Sequence, residues 1–458
     1  MIARARSMLS DGGLTGRAMR STLFSIAGFG GENVLRLAGN LVLTRLLFPE
    51  AFGLMALVTV LMNGLGMFSD IGLRSSIIQN ERGADPVFLN TAWTIQIARG
   101  ALLFAITWFI ATPVSEFYGD PRLEDMFRVA GLIPLIMGFV STRLSSASRE
   151  LQIGRMTVLS LGTQVAGLLV TIALAFWLRS VWALVLGGLI APTLLTIFSH
   201  VVLPGNRDRI GFEKGAAIQL MSFGMFIFVA SIAGFLVNQG DRAILGKFVS
   251  LEDLALYNIG FFLATVPLML NGKLVEGVVF PLYSRRPPAR SAENRRKILK
   301  ARWIMTGLAI STALFFGAIG NWLVVLLYDA RYEGAGPLMV LIAVAQLPLI
   351  ITATYTSLAM AAGHSGRFAL IVILDALIRT GITLVATANF GVVGAALAPF
   401  PAVLLHYPIL IALTRRYNAW DPRHDLFYLT LAVTCAAGVI WLNWDAVGPV
   451  LTALLAAG

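Results

Sequence analysis

Charge is scarce in this chain of 458 residues. Asp, Glu, Lys and Arg together make 13% of it, against about 25% in soluble domains. Folded in water, a chain this poor in charge would leave broad apolar patches exposed, which soluble monomers avoid. Cysteine occurs once, at Cys435 inside an apolar run, so an intrachain disulfide is excluded. Histidine occurs four times, with His364 and His424 expected in loops and His200 and His406 expected to be packed or interfacial. No HExxH, no Cys/His cluster and no convincing Ser/His/Asp set is visible. The stretch from Gly240 to Lys247 has the wrong spacing for a phosphate-binding loop. No hydrophilic stretch is long enough for a separate soluble domain. The longest, Tyr283 to Arg302, makes one loop. The longest outer loop, Pro113 to Asp125, carries Glu116, Asp120, Glu124 and Asp125, which read as a solvated face. An enzyme is therefore disfavoured, and neither cofactor nor metal is expected.

What the chain has instead is a rhythm. Hydrophobic residues make 57% of it, the mean hydropathy is +0.79, and apolar runs of about 20 residues recur, each long enough to cross a bilayer core of about 30 Å as a helix. Thirteen runs are expected, at 21–47, 51–78, 87–112, 126–148, 156–178, 181–203, 217–246, 254–282, 303–328, 336–362, 368–389, 391–413 and 426–444, with a short apolar tail at 447–458. The basic segment 1–20 shows no cleavable signal and reads as an amphipathic N-terminus.

The net charge of +11 does not point to nucleic acid, because the excess sits in short loops on one side. Counted over the N-terminus and every second loop, Lys and Arg number 22, while the opposite loops hold only Arg122, Arg179, Lys247 and Arg331. By the positive-inside rule the N-terminus is cytoplasmic.

Two segments repeat. LTRLLFPEAFGLM (43–55) aligns with LGKFVSLEDLALY (245–257) at a shift of 202, and GRMTVLSLGTQ (154–164) aligns with GRFALIVILDA (366–376) at a shift of 212. Each shift equals six expected spans, so the halves share an orientation and relate by an axis along the membrane normal. The expected fold is all-α: a polytopic membrane protein with an N-lobe over 21–203, a linker over 204–216, a C-lobe over 217–413, and one or two extra helices within 414–458.

Ionisable groups inside spans are costly and mark function by default. The first span carries Glu32, Asn33, Arg36 and Asn40; the second, Asp70 and Arg74; the third, Gln96 and Arg99; the seventh, Asn238, Asp241 and Arg242; the eighth, Asn271, Lys273 and Glu276; the eleventh, Asp375 and Arg379. Glu32 and Arg36, Asp70 and Arg74, and Asp375 and Arg379 each stand four apart, as neighbours on a helix face do. A shift of 202 lays Arg36 on Asn238, Asn40 on Arg242 and Arg74 on Glu276. A hydrated, net cationic cleft between the lobes is expected. The bland alternative is that each Glu–Arg or Asp–Arg pair only neutralises itself, and that Arg45 and Arg74 snorkel.

Several segments carry a resemblance. LVLTRLLFPEAFGLMALV (41–58), DIGLRSSIIQ (70–79), RELQIGRMTVLS (149–160), the run at 222–267 and VVFPLYSR (278–285) resemble bacterial polysaccharide transporters of the Wzx type. That superfamily (multidrug, oligosaccharidyl-lipid and polysaccharide exporters) also holds the multidrug and toxin extruders and the lipid II flippase. The resemblance implies an inner-membrane flippase for undecaprenyl-diphosphate-linked oligosaccharides, working by alternating access, with a polysaccharide polymerase and co-polymerase as candidate partners. On that reading Arg36, Arg242, Lys273 and Arg379 receive the diphosphate, since a guanidinium grips two phosphate oxygens at once. Asn33, Asn40, Asn238 and Gln96 meet sugar hydroxyls. Glu32, Asp70, Asp241, Glu276 and Asp375 are the paired or ion-coupling acids, and Gly28, Gly30 and Gly31 are a bending point. The alternatives are a drug or cation extruder of the same superfamily, which would want an acid-dominated cavity, and a membrane glycan polymerase or ligase.

Overall fold

The structure, a computed structural model, describes residues 14–457, so most of the expected N-terminal segment 1–20 lies outside it. Every described element is helical. In lipid no water can satisfy an open backbone group, so apolar spans close their hydrogen bonds internally. Starts are set by proline and by short polar side chains. Pro49, Pro86 and Pro422 open helices, where a missing N–H costs nothing. Asp85, Ser250 and Ser291 cap the helices that follow them, each side-chain oxygen accepting from a first-turn amide.

The thirteen expected runs all fall on helix, and the chain is a multi-pass membrane protein. Among the described residues, seven helices are singly long and apolar enough to cross, and nine spans result if two bent pairs are each one span. The runs 21–47 and 217–246 each lie on one long helix, Leu14–Leu46 and Lys214–Phe248, and elsewhere the chain breaks where hydropathy registers nothing. The run 51–78 divides into Pro49–Phe68 and Leu73–Gln79. The run 126–148 divides into Arg122–Ala130, Leu132–Gly138 and Arg143–Arg149. The run 254–282 bends by 42° at Thr265, the run 336–362 by 45° at Gln346. The supposed outer loop 113–125 is mostly helix, because Pro86–Tyr118 runs six residues past the expected end. Its Asp120 and Glu124 meet Arg122 and Arg128.

Contacts divide the chain into two compact units, Met1–Ser231 and Ile232–Gly458. The expected linker 204–216 ends just inside the helix Lys214–Phe248, within which the division falls. The repeat is plain in the backbone. The first helix ends at Leu46 and its counterpart at Phe248; the next begin at Pro49 and Leu251, both 202 apart. Helices start at Ile153 and Ser365, 212 apart. At that same shift the backbone turns to positive φ at Leu151 and Gly363, and again at Arg179 and Gly391. Two sequences with few identities thus bend at the same places, and the halves are pseudo-symmetric.

In the first unit Leu14–Leu46 lies along Ile153–Leu178. Gly28, Gly31 and Gly39 face that neighbour: an added Cβ would stand 3.0 Å from Thr157, 3.2 Å from Leu161 and 2.7 Å from Leu168. These small residues let two helices approach closely. They are a packing seam, and Leu14–Leu46 runs unbroken through them. In the second unit all eleven residues of Ala335–Ala345 are buried. Leu251–Ala264, Ala292–Ala318, Ser365–Leu397, Pro422–Leu442 and Trp444–Ala457 pack against it. The extra C-terminal helices are therefore two, and they complete the second unit's core.

Candidate functional site

The first unit holds a pocket of about 620 Å³ among Pro49–Phe68, Leu73–Gln79, Pro86–Tyr118 and the Leu132–Gly138 helix, its mainly apolar wall interrupted by polar side chains. Asn63, Asp70, Arg74, Gln96, Arg99 and Ser141 line it. The break at 69–72 builds it. Gly72 adopts a left-handed conformation, φ 65°, and Asp70 Oδ1 accepts from the Gly72 amide at 2.9 Å, an Asx turn that halts the helix. Asp70 therefore does not share a helical face with Arg74, as their four-residue spacing suggests, because the chain is not helical between them. Arg99 donates through Nη2 to the Gly66 carbonyl at 2.7 Å and through Nε to Ser69 Oγ at 3.1 Å, securing the carbonyls freed where Pro49–Phe68 ends. Gln96 donates from Nε2 to the carbonyls of Met137, Gly138 and Val140 at 3.1, 3.0 and 2.9 Å. That nitrogen, expected to meet sugar, is committed to the protein's own backbone.

The remaining expected residues of this unit lie along the first helix. Asn33 donates to the Phe29 carbonyl at 2.8 Å. Glu32 accepts from Ser160 Oγ at 3.0 Å. Asn40 is half-buried, its carbonyl accepting from Thr44, and Arg36 is exposed.

In the second unit three groups form. Arg242 donates from Nε to Asn258 Oδ1 at 2.7 Å and from Nη1 to the Asn238 carbonyl at 3.0 Å, with its guanidinium 4.3 Å from the Phe261 ring. Asp241 accepts from Tyr257 Oη at 2.8 Å, and Asn238 donates to the Gly234 carbonyl. Arg379 and Asp375 pair at 2.8 Å, the four-residue spacing holding here because their helix is continuous, and His406 stands 3.1 Å from the same carboxylate. Lys273 and Glu276 pair at 3.2 Å, both exposed, Glu276 on a π turn.

A fourth cluster is absent from the sequence reading. Arg302, counted there as a loop charge, is 1% exposed, and Asp425 is 5% exposed; Arg302 Nη2 lies 3.3 Å from Asp425 Oδ1. Tyr355 and Tyr407 both donate to Asp425 Oδ2 at 2.7 Å. His424 Nδ1 lies 2.8 Å from Asp425 Oδ1, and Arg302 Nε donates to Thr354 Oγ1 at 2.8 Å. The Arg302 guanidinium stacks 3.9 Å from the Tyr355 ring. Every strong partner is satisfied, as a buried charge requires. The only advance signal is polar residues at the edges of two apolar runs.

Outside the spans, Arg82 joins Asp85 at 2.7 Å and Glu213 at 2.6 Å. The hydrogen bond from Arg82 holds the Asp85 carboxyl below the usual carboxylate range. Among the described residues no group of His, Cys, Asp and Glu could hold a metal.

Two curated relatives and two solved structures place this architecture. The chain is 23% identical over 312 residues to the succinoglycan biosynthesis transport protein ExoT of Rhizobium meliloti, covering 67% of this chain and 61% of that one. It is 22% identical over 246 residues to the lipopolysaccharide biosynthesis protein WzxC of Escherichia coli, covering 53% and 50%. The chain thus spans between half and three fifths of these relatives' length. Its fold matches that of the lipid II flippase MurJ in an inward closed conformation, with a TM-score of 0.69 at 11% identity over 93% of this chain and 99% of that one. It also matches an inward-facing multidrug transporter of the MATE family in the MOP superfamily, with a TM-score of 0.59 at 13% identity over 83% and 95%. The model of a family described as polysaccharide biosynthesis protein matches residues 42–337, and the chain belongs to that family.

Proposed function

We propose that this protein is a flippase that moves undecaprenyl-diphosphate-linked oligosaccharide repeat units from the cytoplasmic to the periplasmic leaflet of a bacterial inner membrane. The N-terminus lies in the cytoplasm, and the product feeds exopolysaccharide, O-antigen or capsule assembly. The observation that carries this reading is the arginine-bearing pocket inside the first unit, in a chain of the polysaccharide biosynthesis family. A drug extruder selecting cations has no use for arginine there, whereas a diphosphate does.

The cargo's head is too polar for lipid, so it travels by alternating access through a cationic cavity while its polyprenyl tail stays among acyl chains. Arg36, Arg242, Lys273 and Arg379 take the diphosphate, joined by Arg74 and Arg99. Of these, Arg242 and Arg379 exchange a carboxylate or amide partner for a phosphate. Asn33, Asn40 and Asn238 meet sugar hydroxyls. Asp241, Glu276 and Asp375 hold their neighbouring cations when no cargo is bound, and Glu32 and Asp70 are the ion-coupling acids. An anion leaving a negative interior gains about 2.3 kcal/mol per charge per 100 mV, which gives the direction. The protein performs no bond chemistry, and a polymerase and co-polymerase receive what it delivers.

The test is complementation in a cell whose polymer export depends on this gene, with the lipid-linked intermediate measured in each leaflet. Arg36→Ala with Arg242→Ala is expected to cut polymer at least tenfold while intermediate accumulates on the inner leaflet. Normal output from that variant overturns the placing of the diphosphate at Arg36 and Arg242, and normal output from Arg74→Ala with Arg99→Ala overturns the pocket of the first unit as part of its path. Normal export after deletion of the gene overturns the function.

A further inference from the structure

On the flank of the first unit a groove of about 1190 Å³ runs between Ile153–Leu178 and Trp182–Val201, with Phe24 of the first helix at one edge. Its walls include Val158, Leu159, Ala166, Leu194, Phe198 and Val201. In a bilayer such a slot is filled by lipid, and the residues at its mouth decide which lipid.

Two arginines line the groove, Arg143 and Arg155, and no acid does among its lining residues. Both sit at one end of the bundle, where Arg143–Arg149 leads into the start of Ile153–Leu178 and where the chain turns at Gly205. Both stand where apolar runs begin or end, the level at which basic side chains meet headgroups. Arg143 is held rigidly: Nε donates to the Asn206 carbonyl at 2.8 Å, and Nη1 to the carbonyls of Leu203 at 3.0 Å and His200. None of these bonds uses Nη2. Arg155 is exposed and makes one long bond, 3.3 Å from Nη1 to Gln152 Oε1. Asp208 lies behind this wall, bonded to Ser141 and Thr142, but no carboxylate lines the groove itself, and a fixed guanidinium with an adaptable one on the same groove suits a phosphodiester.

The repeat shows what opens the slot. At the 212-residue shift Gly154 and Arg155 fall on Gly366 and Arg367, but Gly162 falls on Leu374. A Cβ built on Gly162 would meet nothing within 4 Å, so the glycine leaves space that its counterpart fills with an isobutyl group. The cation recurs in the second unit, where Arg367 donates to Tyr417 Oη at 3.3 Å. The glycine is particular to the first.

We propose that this groove is a binding site for one anionic glycerophospholipid of the surrounding bilayer, with an acyl chain along the floor at Gly162 and the phosphate at Arg155 and Arg143 Nη2. Basic pockets between membrane helices on the cytoplasmic side select such headgroups. A zwitterionic lipid would bring its own cation against two arginines. The site is independent of the cargo, so it stands or falls apart from the flippase reading.

The experiment is native mass spectrometry of the purified full-length protein, titrated with phosphatidylglycerol, phosphatidylcholine or undecaprenyl phosphate. Phosphatidylglycerol is expected to be retained at one site at least tenfold more tightly than phosphatidylcholine. Arg155→Glu is expected to weaken it at least tenfold. Gly162→Leu, which changes no charge, is expected to weaken it to a similar degree. Arg155→Gln and Gly162→Val serve should either variant fail to fold, and all are expected to keep the wild-type melting temperature without lipid. Equal retention of both phospholipids overturns the proposal, as does undiminished phosphatidylglycerol binding in the Arg155 and Gly162 variants. Tighter retention of undecaprenyl phosphate, lost on Gly162→Leu, assigns the groove to polyprenyl lipid and overturns it too.

Discussion

Gln96 is the eleventh residue of Pro86–Tyr118, and Arg302 is the eleventh of Ala292–Ala318. The first is half-buried and neutral, bridging its helix to three carbonyls near the end of Leu132–Gly138. The second is a sealed cation, bonded to Thr354 on the corresponding helix and also to Asp425 on Pro422–Leu442. Both join the same two helices of the repeat, but only the second reaches a further one. Where a unit has six spans, an amide suffices for the join. Where an additional helix must be gathered in, the join becomes an ion pair reinforced by two tyrosines and a histidine. The difference concerns how many elements are held, and it follows that breaking the two joins should cost unequal amounts.

The largest effect is expected at Asp425→Ala, which leaves Arg302 charged and without its carboxylate in a dry site, a change costing about 3–5 kcal/mol. It is read as a drop in melting temperature in detergent and as proteolysis around Pro422–Leu442. Arg302→Met with Asp425→Leu should recover most of the loss. Gln96→Leu removes one donor from three carbonyls and should cost about 1–3 kcal/mol. If Gln96→Leu proves the more damaging, the proposed difference between the joins is wrong.

Smaller effects sharpen the comparison at the second turn of the repeat. Gly391 has φ 57° and ψ −141°, a region closed to side chains, while Arg179 at the matching position has φ 47° and ψ 37°, which a side chain tolerates. Gly391→Ala should cost about 1–3 kcal/mol, whereas Arg179→Gly should change stability by less than about 1 kcal/mol. Equal losses in thermal unfolding would mean that the two turns carry the same strain.

The smallest effect concerns Arg82, Asp85 and Glu213, a join found at a loop of the first unit. Because Asp85 is held below its ordinary range in the folded state, its contribution is present above the unfolded carboxylate value, near pH 4. It fades as pH falls further, through the folded value. Melting temperature measured from pH 6 to pH 3 should therefore fall less steeply in Arg82→Ala than in wild type. Parallel curves would remove any role for this cluster.

The spans are legible in the sequence because lipid demands apolar length and little else. The breaks at Asp70–Gly72, Thr265 and Gln346 are not, because a run of apolar side chains scores alike whether its backbone is continuous or bent. The repeat is legible from two short matches because what it conserves is where the chain turns. Of the candidate site, Asp70 and Gln96 do meet in one pocket, and Asp375 and Arg379 do pair. Arg302 is missed for a physical reason. It sits at the junction of a basic loop and an apolar run, and its partner lies 123 residues onward, so no local pattern distinguishes it from the arginines that face solvent before it. Arg99 is visible as a charge, but its part in tying off Pro49–Phe68 depends on a helix end that hydropathy conceals.

The helix Ala335–Ala345 is buried along its whole length, yet three of the helices around it, Ser365–Leu397, Pro422–Leu442 and Trp444–Ala457, come later in the sequence. A ribosome delivers residues in order, so during synthesis this segment must lodge among acyl chains before its last neighbours exist. Its sequence, AGPLMVLIAVA, carries nothing ionisable and accepts that wait, whereas Arg302 cannot be neutralised until Asp425 has emerged. A chain halted short of Pro422 therefore holds the Arg302 guanidinium without the Asp425 carboxylate that neutralises it.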